Sequence, residues 1–403
     1  MILRPHHTRP APIAARERRA LTAPSHQALA LHVEPVEGRR GRAEFLGLLR
    51  GIYADDPAWI QPLLLERREH LSARNPYFQH ATCQAWIARR GRRPVGRITA
   101  QVDQLHLETH QDATGFFGML EAHDDPEVFT ALLDTAEHWL RAQGMRRVRG
   151  PFNLSINEES GLLVEGFDTP PMVMMGHARS YYGPRVEANG YAKVMDLLAY
   201  RLRTDFAAPP AMQALARRMD QRIRVRPLRR ERFDEEVEIL RGIFNDAWSG
   251  NWGFIPFTEA EFKELGRNLK LLLDDDFIQI AEAGGEPVAM AVALPNLNDA
   301  IRDLNGRLLP LGWLKLLWRL KVRCPTSGRV PLLGVSKRYQ NSLLGPTLAY
   351  MVINSLVAPV RRRGIDMMEL SWILETNLRM RAVIEGIGGV AYKRYRVYQK
   401  ELA

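Results

Sequence analysis

The sequence repeats itself at long range, and this repetition limits the possible folds more than any other feature. The segment ARRGRRPVGRITA, which begins at Ala88, aligns without gaps with AEAGGEPVAMAVA, which begins at Ala281, 193 residues later. Each copy reads as a strand, a glycine-containing turn and a second strand, which is typical of a β-hairpin. Two copies of one supersecondary unit indicate an internal duplication.

A second, weaker repeat supports the first. The segment EANGYAKVMDLLAY echoes EGIGGVAYKRYRVY at nearly the same distance, 198 residues. The copies share a glutamate, a glycine and a tyrosine at equivalent positions: Glu187 and Glu385, Gly190 and Gly388, Tyr200 and Tyr398. The two repeats together predict two related domains, 43–205 and 222–403, joined by a linker or helix at 206–221 and preceded by an arm at 1–42.

Hydrophobic periodicity predicts a mixed α/β arrangement in each half. In the first half we expect helices at 43–73, 126–143 and 182–189, a hairpin at 82–103, and strands at 115–121, 146–152 and 194–202. In the second half we expect helices at 233–246, 259–273, 345–361 and 378–387, a hairpin at 277–295, and strands at 222–228, 329–336, 367–374 and 391–399.

Charge is concentrated in two blocks. The chain of 403 residues has a net charge of +10, of which 1–42 carry +5 and 299–338 carry +7. The first block lacks the apolar core of a secretory signal, so we expect a flexible basic arm. The only cysteines, Cys83 and Cys324, are too few for a disulfide framework, and no metal-ligand spacing is visible. This composition predicts a protein of a reducing compartment such as the cytoplasm.

The segment LLPLGWLKLLWRLKVR, 308–323, is apolar and basic at once. As a helix it would align Trp313, Leu316, Leu317 and Leu320, widened by Leu314 and Trp318, beside a basic stripe of Lys315, Arg319 and Arg323. The pattern fits a helix lying on an anionic bilayer and equally a core helix with a charged edge. Its place as an insertion at about 304–323 favours contact with a membrane or an acyl chain. With no apolar run of about 18 residues, a transmembrane helix is not expected.

The order of predicted elements and two motifs resemble the Gcn5-related N-acetyltransferase (GNAT) fold. In VSKRYQNSLLGPTLAY, Val335, Gln340 and Gly345 match the family's loop, whereas Leu343 occupies its usual first glycine. In that family, backbone N–H groups of this loop bind the pyrophosphate of coenzyme A. The resemblance therefore implies a coenzyme A site with these members: Val335, Gln340, Asn341, Ser342, Leu343, Leu344, Gly345 and Asn377.

The second motif is ETNLRMRAVIEGIGG, in which Asn377 and Gly388 match family positions. Ile384 stands where the family often has a tyrosine that protonates the departing thiolate. The resemblance then implies that Tyr392 or Tyr395 substitutes for it, or that the thiolate leaves unassisted.

Two longer stretches resemble one branch of the fold, the tandem acyltransferase-like family of Proteobacteria that includes the bacterial ceramide synthases. These are GPFNLSINEESGLLVEGFDTPPMVMM with the following YYGP, and FNDAWSGNWGFIPFTEAE, and the resemblance spans about 40–402. It implies two tandem GNAT-like domains, each a mixed, mostly antiparallel sheet flanked by helices. It further implies that a fatty acyl-CoA acylates the amine of a long-chain sphingoid base, at the inner face of the bacterial inner membrane.

Such a transfer requires a neutral amine, and deprotonating an alkylammonium about three units below its pKa costs about 4 kcal/mol. A positioned base is worth roughly 10²–10⁴ in rate. Our candidates are Glu158, Glu159, Glu375 and His177, with a backbone N–H near Val335 for the oxyanion. The candidates for binding the acceptor or its lipid chain are Asn153, Asn157, Tyr181, Trp248, Asn251, Trp252, Phe254, Trp313, Leu317 and Trp318.

Two other functions are compatible with the sequence. A tandem aminoacyl transferase could use the basic blocks to bind charged tRNA, but arginines are not interleaved with aromatics over an extended face, so no nucleic-acid partner is expected. A catalytically degenerate pair could merely hold a lipid or a partner, as Leu343 and Ile384 suggest. The sequence does not define the acyl-chain length, the oligomeric state, which residue is the base, or whether the first half binds coenzyme A.

Overall fold

The computed structural model describes residues 30–270, 273–342 and 344–402. The chain from Leu31 onward forms one compact unit. Most of the arm predicted for 1–42 lies outside the described residues. Its last part differs from the expectation, because Leu31–Pro35 is a strand paired with the first hairpin and Gly38–Gly47 is a helix.

The strands are, in chain order, β1 Leu31–Pro35, β2 Ala81–Arg90, β3 Arg93–Asp103, β4 Thr114–Ala122, β5 Arg147–Gly150, β6 Phe152–Asn153, β7 Glu159–Ser160, β8 Leu162–Glu165, β9 Ala192–Arg203, β10 Ile223–Pro227, β11 Ile278–Ala283, β12 Glu286–Pro295, β13 Ser327–Val335, β14 Met367–Leu374 and β15 Val390–Glu401. All except β6 and β7 join one large mixed sheet in the order β1-β2-β3-β4-β5-β15-β9-β14-β13-β12-β11-β10, with β8 paired to β15.

The helices are α1 Gly38–Gly47, α2 Leu49–Ile52, α3 Leu64–His70, α4 Gln104–His110, α5 Pro126–Ala142, α6 Tyr182–Ala188, α7 Pro210–Met219, α8 Phe233–Trp248, α9 Glu259–Lys270, α10 Leu297–Ile301, α11 Gly312–Lys321, α12 Lys337–Gln340, α13 Leu344–Arg362 and α14 Leu378–Gly386. Short 3₁₀ turns lie at Pro76–Gln79, Arg230–Arg232 and Asp275–Phe277. In the described part of the chain, no helix combines the length and the apolar character that crossing a bilayer requires.

The final strands of the two halves are exchanged. Strand β15, from the end of the chain, lies between β5 and β9, and β9, from the end of the first half, pairs with β14 of the second. Each hydrophobic core is completed from the other half: Tyr395 and Val397 belong to the first core, and Leu198 and Leu202 to the second. The halves therefore share one sheet, and each contributes side chains to the core of the other.

The second sequence repeat lies at this exchange. The hydroxyl of Tyr200 donates to Glu385 over 2.8 Å, and the hydroxyl of Tyr398 donates to Glu187 over 2.9 Å. Each tyrosine thus bonds to the glutamate of the opposite half. The repeated residues stabilise the exchange reciprocally.

The first repeat forms the two predicted hairpins. In β2–β3 and β11–β12 the chain reverses over two residues, between the pairs Arg90 with Arg93 and Ala283 with Glu286. The first turn residues, Gly91 and Gly284, both have φ near +60°. Tight hairpin turns need this left-handed conformation, which glycine adopts without strain.

The predicted helix at 43–73 is divided into α1, α2 and α3. The break at 53–63 contains Pro57 and Pro62, which lack a backbone N–H and disfavour helical conformation in the preceding residue. Sequence reasoning also did not place β1, β7, β8, α4, α10 or α12. The remaining predicted helices and strands are present, with ends shifted by a few residues.

The insertion forms a helix, α11, but its orientation differs in part from the prediction. Leu320 is buried and Leu316 half-buried on the side that packs toward α10, while Trp313, Leu314, Leu317 and Trp318 face outward. The predicted basic stripe is not free, because Lys315 and Arg319 both bind Asp303 and their hydrogen bonds hold its pKa below the ordinary value. These pairs turn that edge of the helix toward the protein.

His80 ties the two halves together. Its Nδ1 lies 2.9 Å from Asp103 at the end of β3, and its Nε2 lies 3.3 Å from Glu261 in α9. Burial alone would lower the pKa of His80, but the hydrogen bonds and charges of the two carboxylates raise it to about 10. The protonated imidazole therefore stabilises the folded state.

We predict that this stabilisation depends on pH. It is complete below the ordinary histidine pKa of about 6.5 and is lost as pH rises from there through the folded pKa of about 10. Urea unfolding at pH 6, 7, 8, 9 and 10 should show that wild type exceeds H80Q in free energy of unfolding most at pH 6 and least at pH 10.

The half-exposed His32 on the edge strand provides the control, H32Q. Its difference from wild type should vary less with pH. An H80Q difference that stays constant from pH 6 to pH 10 would contradict the bridging role.

Candidate active site

A large cavity lies where two parallel strands of the second half diverge. Strands β13 and β14 pair only from Ser327 with Met367 to Val330 with Leu370. Beyond these pairs they separate and enclose a cavity of about 430 Å³. The cleft runs along β13 toward Val335 and ends at the loop that leads into α13.

Five predicted coenzyme A residues line this cavity: Val335, Gln340, Asn341, Gly345 and Asn377. Ser342 and Leu344 are close to these residues in sequence but do not line the cavity. Leu343 lies outside the described residues. The Gln340 amide donates to the Val335 carbonyl over 2.7 Å and to the Ala247 carbonyl over 2.8 Å, so it holds the loop in shape.

The mouth of the cavity is cationic. Arg379 lines it and donates to the Gln340 carbonyl over 2.8 Å and to Asn341 Oδ1 over 2.6 Å. The exposed Lys337 and Arg338 lie two and three residues after the end of β13, and Arg338 is paired with Glu286 over 2.8 Å. Cations beside a helix N-terminus favour binding of an anionic group such as a phosphate.

Strand alternation directs backbone groups into the cleft. The N–H of Ser336 donates to Val288 on β12, so the neighbouring residue Val335 points its N–H and carbonyl toward the opposite side, where β14 has diverged. An N–H so directed can stabilise an oxyanion.

The equivalent cleft of the first half is filled by the chain itself. Strands β4 and β5 pair only from Thr114 to Phe116, and the next segment enters the gap. The Phe152 carbonyl oxygen lies 1.9 Å from where a Cβ would stand on Gly118, so only glycine fits there. Asn153 Oδ1 accepts the N–H of Met119 over 2.8 Å.

The turn from β4 to α5 also differs from its counterpart. It is three residues long, His123 to Asp125, and Asp125 caps the helix with its own carboxylate. Asp124 and Asp125 are paired with Arg185 and Arg90. Carboxylates occupy the helix N-terminus that corresponds to the predicted coenzyme A loop of the other half.

The segment that fills the cleft of the first half continues to the cleft of the second half. Asn157 and Glu158 line the 430 Å³ cavity, and the Asn157 amide donates to the Ile255 carbonyl over 3.1 Å. Glu158 is hydrogen-bonded to His70 of α3. Burial lowers the pKa of His70, but the charge and hydrogen bond of Glu158 outweigh this and raise it.

The other wall of the cavity is aromatic. Trp248, Asn251, Trp252 and Phe254, all predicted as acceptor contacts, line it. Trp248 stacks on Phe244 at 4.6 Å, which fixes the indole plane.

A second cavity, of about 100 Å³, lies in the first half and is bordered by three further predicted residues, Asn153, Glu159 and His177. Glu159 is paired with Arg67 and accepts the Asn153 amide over 2.8 Å. The pKa of Glu159 is lowered because these partners outweigh burial, which would raise it.

The remaining predicted residues lie outside the linings of both cavities. Glu375 binds Lys193 at the surface over 2.8 Å. Tyr181 donates to the Ala122 carbonyl over 2.8 Å. Tyr392 donates to the buried Glu369, and burial and this carboxylate raise its pKa, while Tyr395 is fully buried. Tyr392 and Tyr395 both lie on β15, within the shared sheet.

Sequence reasoning missed His70 and Arg329. No local pattern connects His70 with Glu158, which is 88 residues away. Arg329 could have been noticed as a charge in an apolar strand. It is buried at the inner end of the large cavity and donates to Ser371 Oγ over 2.7 Å. Among the described residues, no three histidine, cysteine or acidic side chains are grouped as metal ligands.

The fold is that of tandem GNAT proteins. The chain superposes on a tandem GNAT protein from the clavulanic acid biosynthesis pathway with a TM-score of 0.54 and 12% identity, covering 93% of this chain and 99% of that one. A GCN5-related N-acetyltransferase from Sphaerobacter thermophilus gives a TM-score of 0.50 at 12% identity, covering 92% and 96%. No family model matches the sequence.

Sequence relatives define the family more narrowly. The chain is 48% identical over 375 residues to the bacterial ceramide synthase of Caulobacter vibrioides, covering 92% of this chain and 98% of that protein. It is 52% identical over 359 residues to Protein YghO of Escherichia coli, covering 89% and 92%. The protein belongs to the tandem GNAT-like N-acyltransferase family that includes the bacterial ceramide synthases, and it is an N-acyltransferase.

Proposed function

We propose that the protein transfers a fatty acyl group from coenzyme A to the amine of a long-chain sphingoid base, in the 430 Å³ cavity of the second half. The observation that carries this is the meeting of two sequence-distant segments in one cleft: the loop at 335–345 and the Asn157–Glu158 turn. The name of the Caulobacter relative supports the substrate class.

The acyl-CoA thioester would enter the gap between β13 and β14. Its pyrophosphate would lie at the start of α13 near Arg379, and its thioester carbonyl would face the N–H of Val335. Because Phe152 and Asn153 fill the equivalent gap of the first half, one acyl-CoA binds per chain.

Glu158 is the base in this proposal. Its carboxylate faces the cavity from the half opposite the loop, and His70 holds it from behind. Glu159 points into the smaller cavity and Glu375 lies at the surface, so neither faces the loop.

The reaction balances without another reactant. The amine nitrogen attacks the thioester carbonyl, and its proton passes to Glu158 as the C–N bond forms. The C–S bond then breaks, and the thiolate, a stronger base than a carboxylate, takes that proton. The products are the amide and free coenzyme A.

We further propose that the protein works at the cytoplasmic face of an anionic membrane, docking through α11. The side chains of Trp313, Leu317 and Trp318 are each about half exposed, at 48%, 48% and 49%, although they are large and apolar. Large apolar surface on a helix followed by the exposed Arg323 suits the interface of an anionic bilayer.

The reaction is tested by incubating the protein with sphinganine and palmitoyl-CoA and detecting the product by mass spectrometry. We expect the N-acyl product together with stoichiometric free coenzyme A. Failure to form an amide with any long-chain amine or acyl donor would overturn the proposal. Salt-sensitive tRNA binding without acyl-CoA binding would favour an aminoacyl transferase instead.

We predict that E158Q lowers kcat by roughly 10²–10⁴, because glutamine keeps the shape of the side chain but cannot accept the proton. E375Q should stay within about twofold of wild type, since its carboxylate lies outside the cavity. Steady-state kinetics with matched thermal unfolding curves measures both. The reverse result, with E375Q inactive and E158Q active, would identify Glu375 as the base.

Replacing Trp313, Leu317 and Trp318 together by serine should weaken binding to phosphatidylglycerol vesicles at least tenfold, because each buried apolar side chain contributes about 1.5–3 kcal/mol. Vesicle sedimentation measures the change. The control is L65S/V390S, which removes two exposed apolar side chains elsewhere. Unchanged vesicle binding by the triple variant would show that α11 does not dock the protein on the membrane.

A further inference from the structure

The 100 Å³ cavity of the first half is a built polar chamber. It lies between α1, α3, the sheet strands β3 and β4, the segment at 171–177, and α10. A cavity of about 150 Å³ can accommodate benzene, so this one holds roughly four non-hydrogen atoms. That is the size of a small head group and too small for a long alkyl chain.

One unpartnered donor borders the chamber. Arg97 is 5% exposed and donates from Nη1 to the Phe45 carbonyl over 2.8 Å, but its Nε has no hydrogen-bond partner among the described residues. Burial lowers the pKa of this guanidinium, although the nearby Glu121 opposes the change. A buried N–H without an acceptor is costly, which points to a ligand that supplies one.

One unpartnered acceptor also borders it. The His177 side chain is 3% exposed, and its Nε2 lies 2.9 Å from the Asp56 carboxylate. Burial lowers the pKa of His177, so the ring is neutral and its proton stays on Nε2, facing Asp56. Its Nδ1 is then a bare acceptor, and it too lacks a partner in the described part of the chain.

A hydroxyl group matches this pair, because it accepts one hydrogen bond and donates another. The chamber also contains two carboxylates. Glu121 accepts the hydroxyls of Tyr53 and Tyr182 over 2.6 and 2.7 Å, and Glu159 binds Arg67. Apolar side chains complete the lining for the carbons of a ligand: Leu46, Leu49, Ile60, Met119 and Met174.

The chamber lies between the two proposed lipid contacts. Met174 lines both this chamber and the 430 Å³ cavity. On its other side, Asn298 of α10 borders the chamber, and α10 packs against α11. The chamber and the 430 Å³ cavity therefore share Met174 as a wall residue.

We propose that this chamber binds the hydroxylated head of the acceptor amine, with its hydroxyl between Arg97 Nε and His177 Nδ1 and its alkyl chain outside. This inference rests on the proposed function, because it takes a long-chain amino alcohol as the acceptor. It assigns acceptor recognition to the first half and acyl-CoA recognition to the second.

The test fills the chamber without disturbing its walls. Gly176 lines it, has an ordinary backbone conformation, and a Cβ built there meets nothing within 4 Å. G176L should raise the KM for sphinganine at least tenfold and leave the KM for palmitoyl-CoA and the melting temperature unchanged. The matched control is G242L, at an exposed helical glycine with equally open surroundings.

A substrate comparison tests the hydroxyl. A long-chain amine without hydroxyl groups should lose at least tenfold in kcat/KM with wild type, because it leaves Arg97 and His177 unpaired. With G176L, the two amines should become similar, since neither enters the chamber.

The outcomes separate this inference from the proposed function. If wild type acylates sphinganine but G176L keeps the wild-type KM for it, or if the two amines react equally with wild type, the chamber holds only water and the inference is wrong. If wild type acylates no amine, the proposed function itself fails. Binding of sphinganine to wild type and G176L, measured by calorimetry, then still decides whether the chamber takes a head group.

Discussion

The antiparallel pairing of β9 with β15 is the interaction on which the rest of the structure depends. These strands end the two halves, and each inserts next to the other half's strands, so that β15 joins β5 and β9 joins β14. Reciprocal hydrogen bonds from Tyr200 to Glu385 and from Tyr398 to Glu187 secure the exchange. Because each half completes the other's core, their relative position is fixed. A site built from both halves can then have defined geometry.

The duplicated halves have diverged at their clefts. In the second half, β13 and β14 separate and leave an open cavity, whereas in the first half Phe152 and Asn153 occupy the corresponding gap. Filling the first gap directs the following turn outward, where Asn157 and Glu158 reach the open cavity of the second half. One copy of the fold thus keeps the cleft, and the other contributes side chains to it.

Particular residues show how far sequence reasoning extends to the site. Val335, Gln340, Asn341, Gly345, Asn377 and the aromatic set around Trp248 were implied by short motifs that resemble the family's, and they line one cavity. The contact between His70 and Glu158 could not be found, because no local pattern links α3 with a turn 88 residues later. The orientation of α11 also escaped prediction, since a helical pattern defines an apolar face without saying whether the protein or solvent meets it.

The sequence by itself determined the duplication, the hairpins with glycine at their turns, the order of helices and strands, and the family. These depend on local periodicity and on backbone preferences that neighbouring residues set. Only the tertiary structure decided that the last strands are exchanged, that one cleft is filled, and that Glu158 rather than Glu159 or Glu375 faces the open one. Those outcomes depend on contacts between residues far apart in the chain, whose energies no short segment contains.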